Sequence, residues 1–401
     1  MMSARFRQQA TLATPDRSRH AYIASYDLWL IGIVMLIICL GLIMVASASI
    51  SISAREFGNP LYYFWRQCIA AGLGLTAAAI ALKIPTRFWE VISVPLLILA
   101  FLLLSLILVA GVGKEVNGSM RWIQLGPFAL QASEPVKLCI IAYLAGYLVR
   151  HGDTVRTEFA GFIRPVGVLT LISGLLLMQP DFGASVVLFA TALGMLFMGG
   201  VPLSRFFAWV SVAVSALAAL AILSPYRMQR LMSFVDPWKD PYDTGFQLTQ
   251  ALIAFGRGHW LGVGLGSSIQ KLFYLPEAHT DFVYSVLAEE LGLIGSLGIL
   301  LLYAFIVWRA FVIGHVAECL EKYFAAYFAY GIGLIIGIQA FINMGVNMGV
   351  LPTKGLTLPL MSYGGNSLMV YCVLLGILVR IEHENRHGNR DVINKMVPAY
   401  A

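Results

Sequence analysis

Charged residues are scarce in this chain of 401 residues: aspartate, glutamate, lysine and arginine make up only 12% of it. A soluble domain usually carries about 25% charged residues, so a water-soluble exterior of the ordinary kind is excluded. The sequence also lacks a phosphate-binding GxxxxGK[S/T] loop and a GxSxG nucleophile motif. ATP-driven transport and serine hydrolysis therefore have no support from motifs.

Cysteine is equally rare. The five cysteines form an odd set without metal-ligand spacing, which argues against a disulfide framework and a Cys/His metal site. Four lie in apolar segments and one in a predicted loop, and we expect small buried side chains: Cys39, Cys68, Cys139, Cys319 and Cys372. No basic stripe interleaved with aromatic residues occurs outside the tails, so the net charge of +6 does not predict nucleic-acid binding.

Hydrophobic residues, in contrast, make up 59% of the chain. A soluble core cannot absorb so much apolar surface, so the excess must face lipid. The sequence predicts an all-α integral membrane protein with about ten transmembrane helices, three of them short, and eight remains an alternative. The predicted spans are residues 28–48, 64–82, 91–110, 136–149, 166–178, 184–198, 207–223, 284–308, 323–350 and 367–381.

The distribution of Lys and Arg predicts the orientation. The basic tails, residues 1–27 and 383–401, are expected in the cytoplasm, with the membrane domain over residues 28–382 between them. One long loop, residues 224–283, then lies on the outer face. Its content of Pro, Trp, Tyr and charged residues is typical of an ordered loop and not of a flexible linker. Within it, residues 246–255 (FQLTQALIAF) predict a short amphipathic helix near the interface.

Two polar groups stand at the outer ends of the short spans. Glu134 and Lys137, three residues apart, share one helix face. They form either a structural ion pair or, through the ammonium, a pyrophosphate contact. The turn at residues 179–183 (QPDFG) breaks two helices, and Asp181 is expected mainly to cap the second one.

Two further groups flank the later spans. Residues 275–281 (LPEAHTD) place Glu277, His279 and Asp281 at the outer mouth of a helix. Asp281 is either a helix cap or an ionised general base, and it could also bind a metal. Residues 351–366 form a polar re-entry rich in Pro and Gly. Such backbone at membrane depth usually lines a cavity, although an ordinary tight loop is the alternative.

These groups resemble the SEDS family (shape, elongation, division and sporulation) of polytopic bacterial peptidoglycan polymerases. The resemblance covers most of residues 28–382. Its motifs are specific in combination: VNGSMRWIQLG with QASEPVK, QPDFGAS, DPWKDPYDTGFQLTQA, LPEAHTDFVYSVLAEELGLIG and NMGVNMGVLPTKGLTLPLMSYGGNSL. The last motif, with Lys354, looks more like the division-specific branch than the elongation-specific branch.

The resemblance implies an inverting glycosyltransferase that joins lipid II into β-1,4 glycan strands at the division septum and releases undecaprenyl pyrophosphate. It implies Asp281 as the family's essential aspartate, and we take it as the candidate base. A divalent cation (Mg²⁺ or Mn²⁺) is one candidate for stabilising the leaving pyrophosphate, beside Lys137 and Arg121, and no organic cofactor is expected. The expected partners are lipid II, the nascent strand, a class B penicillin-binding transpeptidase (FtsI-like) and divisome membrane proteins resembling FtsQ, FtsL and FtsB. The predicted substrate-binding residues are Glu134, Lys137, Arg121, His279, Lys354 and Ser362.

Two other functions fit the same residues. A lipid II flippase would also need polar groups near broken helices, but the acidic cluster lies at the outer end of a helix and not at the membrane midplane, which favours the enzyme. A scaffold that only recruits the transpeptidase predicts that Asp281→Asn is harmless in cells.

Overall fold

The computed structural model describes residues 26–109, 113–116, 119–125, 128–222, 234–243, 245–352 and 355–396. Within them lie twelve helices and a three-stranded sheet. In chain order the elements are α1 (Leu28–Phe57), α2 (Tyr62–Lys83), α3 (Thr86–Val91), α4 (Ser93–Ile107), β1 (Gly113–Val116), β2 (Ser119–Leu125), β3 (Phe128–Gln131), α5 (Ser133–Thr157), α6 (Phe159–Met178), α7 (Phe182–Met198), α8 (Leu203–Ile222), α9 (Phe246–Gly258), α10 (Val283–Cys319), α11 (Tyr323–Asn347) and α12 (Gly365–Met396).

The all-α membrane fold is confirmed. By length and composition, six of the described helices can cross a membrane, namely α1, α2, α6, α10, α11 and α12, and α4, α7 and α8 carry shorter apolar stretches. With α5 these are ten helices, and each coincides in order with one predicted span. The predicted helix at residues 246–255 is observed as α9.

Several predicted boundaries were wrong: the span at residues 91–110 was too long for α4, but most of the others were too short. The span at residues 136–149 belongs to the 25-residue helix α5, and the span at 166–178 belongs to the 20-residue helix α6. Cys319, predicted for a loop, is the last residue of the 37-residue helix α10. The reason is that polar residues can continue a helix beyond the hydrocarbon, where an apolar run no longer marks it.

The two predicted tails lie only partly within the described residues. Residues 1–25 and 397–401 lie outside them, as do residues 224–233 and 244 of the long loop. Helix α12 continues past the predicted boundary at residue 382. Two ion pairs of i,i+4 spacing, Arg380 with Glu384 at 2.8 Å and Arg386 with Glu382 at 2.7 Å, support this extension.

The five cysteines are all unpaired. Cys139 and Cys372 are buried, as expected, but Cys39 and Cys319 are exposed. The prediction of small buried side chains therefore holds for only part of the set.

The sheet between α4 and α5 was not predicted. Its strands pair antiparallel in the order β1-β2-β3, with Lys114 opposite Trp122 and Trp122 opposite Gln131. Asn366, at the start of α12, donates to the carbonyl of Ala129 at 2.8 Å. The sheet thereby lies at the same end of the bundle as the start of α12.

Helix α10 is broken at Gly292, whose φ of 69° is favourable for glycine. The preceding loop bonds to both halves of the helix. The N–H groups of Val263 and Gly264 donate to the carbonyls of Glu289 and Glu290 at 3.0 and 3.1 Å. Beyond the break, the N–H of Leu293 donates to the carbonyl of His259 at 3.0 Å. The loop thus replaces the hydrogen bonds that the broken helix cannot make itself.

Three distant elements meet at the opposite end of the bundle. Asp27, which caps α1 by accepting from two backbone N–H groups, binds the guanidinium of Arg309 on α10. The same guanidinium donates to Glu382 on α12 at 3.1 Å. Because Asp27 and Glu382 are more than nine-tenths buried, the shared cation compensates two carboxylates that would be costly to bury alone.

Helix α11 is the central helix of the bundle: 72% of its most apolar stretch is buried, against 28% for α10. A helix buried on all sides can carry polar side chains only if they are hydrogen-bonded. Helix α11 carries three such amides near its C-terminal end, and they organise the candidate site.

Candidate active site

Three amide side chains follow one face of α11. Gln339, Asn343 and Asn347 are spaced four residues apart, so they lie above one another on the helix. All three are at least 98% buried. Each donates to a backbone carbonyl of a neighbouring segment. We call these three residues the amide ladder.

The C-terminal part of the amide ladder, Asn343 and Asn347, holds Asp281. Asn343 and Asn347 donate to the backbone carbonyl of Asp281 at 2.9 and 3.0 Å. The side-chain oxygen of Asn347 accepts from the N–H and the hydroxyl of Ser285, at 3.1 and 2.7 Å. Asn347 thus caps the start of α10 in place of a residue of α10 itself. The Asp281 side chain is half-buried.

The same ladder holds the re-entrant segment that precedes α12. Asn343 also donates to the carbonyl of Leu356 at 2.5 Å, and Gln339 donates to the carbonyl of Thr357 at 2.8 Å. Gly355 approaches the carboxylate so closely that a Cβ atom there would lie 3.1 Å from Oδ2 of Asp281. The predicted broken segment therefore lies directly against Asp281.

Ser362 and Lys354 belong to this segment. Ser362 is buried, and its hydroxyl accepts from the N–H of Leu358 at 2.8 Å. Its backbone carbonyl accepts from the side chain of Gln67 on α2 at 3.0 Å. These contacts form a turn, and a substrate contact by Ser362 stays a prediction. Lys354 lies outside the described residues.

Glu134 and Lys137 form a buried ion pair at 2.8 Å, as their spacing predicts. Lys137 is fully buried, and its ammonium also donates to Gln339 at 2.7 Å. The hydroxyl of Tyr371 donates to the same amide oxygen at 2.6 Å, and the Tyr371 ring lies 5.5 Å from the ammonium. The pair is therefore connected through Gln339 to Thr357, next to Gly355.

Arg121 and Asp181 meet at the turn between α6 and α7. Arg121, on β2, donates to the carbonyls of Gln179 and Pro180 at 3.3 and 2.5 Å. Asp181 caps α7 by accepting from the N–H of Ala184 at 3.2 Å, so the capping prediction is confirmed. A pyrophosphate contact by Arg121 stays a prediction.

His279 is packed between two tyrosines. Its ring centroid lies 4.7 Å from that of Tyr63 and 5.5 Å from that of Tyr363. Burial lowers the pKa of His279, against the opposing effect of Glu277 and Glu56. The imidazole is therefore neutral at neutral pH, because a charged ring would be poorly solvated there.

Glu289 and Glu290, two turns into α10, are fully buried and bind the long loop. Glu289 accepts from Arg257 at 2.6 Å and from the hydroxyl of Ser268 at 2.5 Å. Glu290 binds the ammonium of Lys271 at 2.8 Å. These carboxylates therefore anchor residues 257–271 to the helix that begins beside Asp281.

Among the described residues, no group of three or more His, Cys, Asp and Glu side chains is placed to bind one metal ion. Mg²⁺ is often bound by only one or two carboxylates together with substrate phosphates, so Asp281 remains a predicted ligand of that kind.

The site and the fold together define a polytopic membrane protein with a carboxylate at one end of its helix bundle. A family model described as cell cycle protein, of the type FtsW, RodA and SpoVE, matches residues 27–387. This chain belongs to that family, the SEDS proteins.

Relatives in other bacteria are similar over almost their whole length. The probable peptidoglycan glycosyltransferase FtsW of Nitrosococcus halophilus is 57% identical over 90% of this chain and 93% of its own. The protein of the same name from Thioalkalivibrio sulfidiphilus is 56% identical over 89% and 90%.

Two solved structures have the same fold. A chain from work described as structural coordination of polymerization and crosslinking by a peptidoglycan synthase complex matches with a TM-score of 0.75 and 30% identity, covering 90% of this chain and 99% of its own. The rod shape determining protein RodA of Thermus thermophilus matches with a TM-score of 0.67 and 29% identity, covering 90% and 98%.

The amide ladder is the part of the site that sequence reasoning missed. A signal was present, because Gln339, Asn343 and Asn347 recur every four residues in an otherwise apolar helix. Polar residues within a membrane span generally mark a functional or packing site. Asn343 and Asn347 belong to a motif that contributed to the resemblance, and Gln339 lies just before it, but the three amides received no role.

Proposed function

We propose that this chain is a peptidoglycan glycosyltransferase of the division type, which joins the disaccharide units of lipid II into β-1,4 glycan strands and releases undecaprenyl pyrophosphate. One observation carries the proposal. The carboxylate of Asp281 lies where α10, α11 and the re-entrant segment meet, in a chain 57% identical to a probable peptidoglycan glycosyltransferase.

In the proposed reaction, Asp281 removes the proton from the 4-hydroxyl of the acceptor sugar. The hydroxyl oxygen then forms a bond to the anomeric carbon of the donor, and the bond from that carbon to the pyrophosphate breaks. A single displacement inverts the anomeric centre and needs only one carboxylate base. The two amides that bind the Asp281 carbonyl fix the backbone of the base, which favours a positioned proton transfer.

The leaving pyrophosphate requires nearby cations. Arg121 is half-buried and uses two of its donors for the carbonyls of residues 179 and 180, which leaves others for an oxyanion. Lys137 is already bound to Glu134 and Gln339, so a direct contact would require that pair to open. A divalent cation would add positive charge here when bound, and no step above depends on it.

The polyprenyl tail of the substrate must stay in lipid. An apolar cleft of about 120 Å³ lies between α5 and α12, and its wall includes Pro135 and Leu138, which flank Lys137. We propose that the Asp281 end of the bundle faces the periplasm and that both tails are cytoplasmic, in the inner membrane at the division septum. The positions of the predicted basic loops support this orientation.

We propose a class B penicillin-binding transpeptidase of the FtsI type as the partner, together with proteins resembling FtsQ, FtsL and FtsB. Support comes from the structural neighbour, which belongs to a synthase complex whose description couples polymerization with crosslinking.

The test is polymerisation of purified lipid II in detergent by the complex with its cognate transpeptidase. We expect polymer from the unaltered protein, none from Asp281→Asn, and normal polymer from the control Asp153→Asn, an exposed acid late in α5. A detergent micelle does not separate two compartments, so the assay scores polymerisation and not transport. A flippase would make no polymer in it. Polymer from Asp281→Asn would remove Asp281 from the role of base, and full complementation by that variant in cells would favour a scaffold.

A further inference from the structure

An aromatic cluster borders the candidate site. Phe57 at the end of α1 stacks on Tyr62 at the start of α2, with centroids 3.9 Å apart. Tyr63 contacts His279 at 4.7 Å and Tyr363 at 4.9 Å. Phe57, Tyr62 and Tyr63 are close in sequence, whereas His279 and Tyr363 come from two distant segments, so the fold brings three parts of the chain together here.

Charged groups form the rim of this cluster. The hydroxyl of Tyr63 donates to Glu56 at 2.9 Å, and Arg66 donates to the hydroxyl of Tyr62 at 3.1 Å. Glu56 and Arg66 are exposed, whereas the two tyrosines are half-buried. The bonds hold the ring planes in place before a ligand arrives, which reduces the entropic cost of binding.

The cluster is attached directly to the backbone that carries the base. The N–H of Tyr363 donates to the carbonyl of His279 at 2.9 Å, and His279 precedes Asp281 by two residues. Two residues span at most about 7 Å, which is the scale of one sugar ring. A pyranose bound at the cluster and a pyranose bound at Asp281 would therefore be adjacent units of one strand.

One polar atom in the cluster lacks a partner among the described residues. Nδ1 of His279 is buried and receives no hydrogen bond there, although the side chain is only 7% exposed. A buried polar atom without a hydrogen bond is costly. A ligand hydroxyl would supply the missing bond once the Tyr363 ring, whose centroid lies 4.9 Å from that of Tyr63, turns aside.

An aromatic belt at the membrane interface is the simpler explanation, but it fits less well. Belt residues face lipid individually and need no contacts with one another. Here Tyr63 and Tyr363 pack against a buried neutral imidazole, and the hydroxyls of Tyr62 and Tyr63 bond to charged residues. Ring faces bordered by a few fixed polar groups are the usual features of a small-molecule site.

We propose that this cluster, Phe57, Tyr62, Tyr63, His279 and Tyr363 with Arg66 at its rim, is a saccharide-binding subsite for a β-1,4-linked pyranose next to the one that reacts at Asp281. The apolar C–H face of a sugar packs on the tyrosine rings, and its hydroxyl or acetamido groups bond to Arg66 and His279. The inference rests on the proposed function, because it assigns the subsite to the same glycan strand.

The test measures binding of a soluble probe, the β-1,4-linked tetramer of N-acetylglucosamine, to the full-length protein in detergent by saturation-transfer NMR. We expect saturation transfer with the unaltered protein and at least tenfold weaker binding by Tyr63→Ala and Tyr363→Ala. Arg66→Ala, at an exposed position, should fold normally and weaken binding threefold or more. The matched control is Tyr274→Ala, which removes a tyrosine 53% exposed on the neighbouring loop and should bind like the unaltered protein.

A second measurement separates this inference from the proposed function. With lipid II, the Tyr63 and Tyr363 variants should still couple the first two units but give shorter strands than the control. No binding of the tetramer by the unaltered protein at millimolar concentration, or equal binding by all four variants, overturns the subsite. If the tetramer binds through the rings but the protein makes no polymer, the subsite stands and the proposed enzymatic function is overturned.

Discussion

The side-chain amide of Asn347 donates to the backbone carbonyl of Asp281 at 3.0 Å, while its oxygen accepts from the N–H of Ser285 at 3.1 Å. One residue of α11 thus holds the proposed base and caps the helix that follows it. The position of Asp281 is therefore determined by α11 as much as by its own segment.

Replacing Asn347 by Asp tests this role. The variant keeps an oxygen for Ser285 but places a second oxygen against the carbonyl of Asp281. The Asp281 carbonyl keeps its bond from Asn343 but faces an oxygen in place of its second donor. Such a lost buried hydrogen bond costs about 1–3 kcal/mol, so polymerisation should fall about 10- to 100-fold. The rate with lipid II is measured together with the unfolding temperature. The control is Asn59→Asp at an exposed turn, and equal rates in the two variants would contradict the assignment.

Gly355→Ala tests the contact between the re-entrant segment and the base. The new Cβ would lie 3.1 Å from Oδ2 of Asp281, so the carboxylate must shift by a few tenths of an ångström. Because catalysis is sensitive to such displacements, we expect about a tenfold lower kcat and little change in thermal stability. Gly364→Ala is the control, since its Cβ would make only ordinary contacts at 3.5 and 3.7 Å. If both variants react at the unaltered rate, the carboxylate lies elsewhere during turnover.

The Glu134–Lys137 pair allows structural and catalytic roles to be separated. Lys137→Met leaves a buried carboxylate uncompensated, which should lower the free energy of unfolding by about 3–5 kcal/mol. Adding Glu134→Gln should recover most of that stability. Thermal unfolding and lipid II polymerisation are measured on both variants. Recovery of both properties indicates a structural pair, whereas recovery of stability alone indicates that the ammonium acts on substrate.

Lys271→Met tests how the long loop is anchored. Glu290 is fully buried, and without the ammonium it must either accept a proton or leave the interior. We expect residues 257–271 to be cleaved about ten times faster in limited proteolysis. Lys239→Met, at an exposed position in the same loop, is the control. Unchanged cleavage of the Lys271 variant would show that backbone bonds to α10 suffice.

The helices were predictable because each apolar run had to become a helix in lipid, where backbone groups find no water. The capping by Asp181 and the pairing of Glu134 with Lys137 were predictable because both depend on residues three positions apart. Such local geometry follows directly from helix periodicity.

Long-range contacts were not predictable in this way. The bond from Asn347 to Asp281 joins residues 66 positions apart, and the bond from Lys137 to Gln339 joins residues 202 positions apart. The short strands around Trp122 carried no long alternating pattern, and the break at Gly292 depends on a loop that binds from outside the helix. These features arise from packing that periodicity does not encode.

The ion pairs between Arg309, Asp27 and Glu382 have a consequence for biosynthesis. They join α1, α10 and α12, the first, tenth and last helices that the structure describes, so the Asp27 carboxylate cannot pair with Arg309 until most of the chain has been made. The fully paired arrangement can form only after α12 has emerged from the ribosome. Closure of the bundle is therefore a late event in membrane insertion, and a chain that stops before residue 382 would leave Arg309 with one acidic partner instead of two.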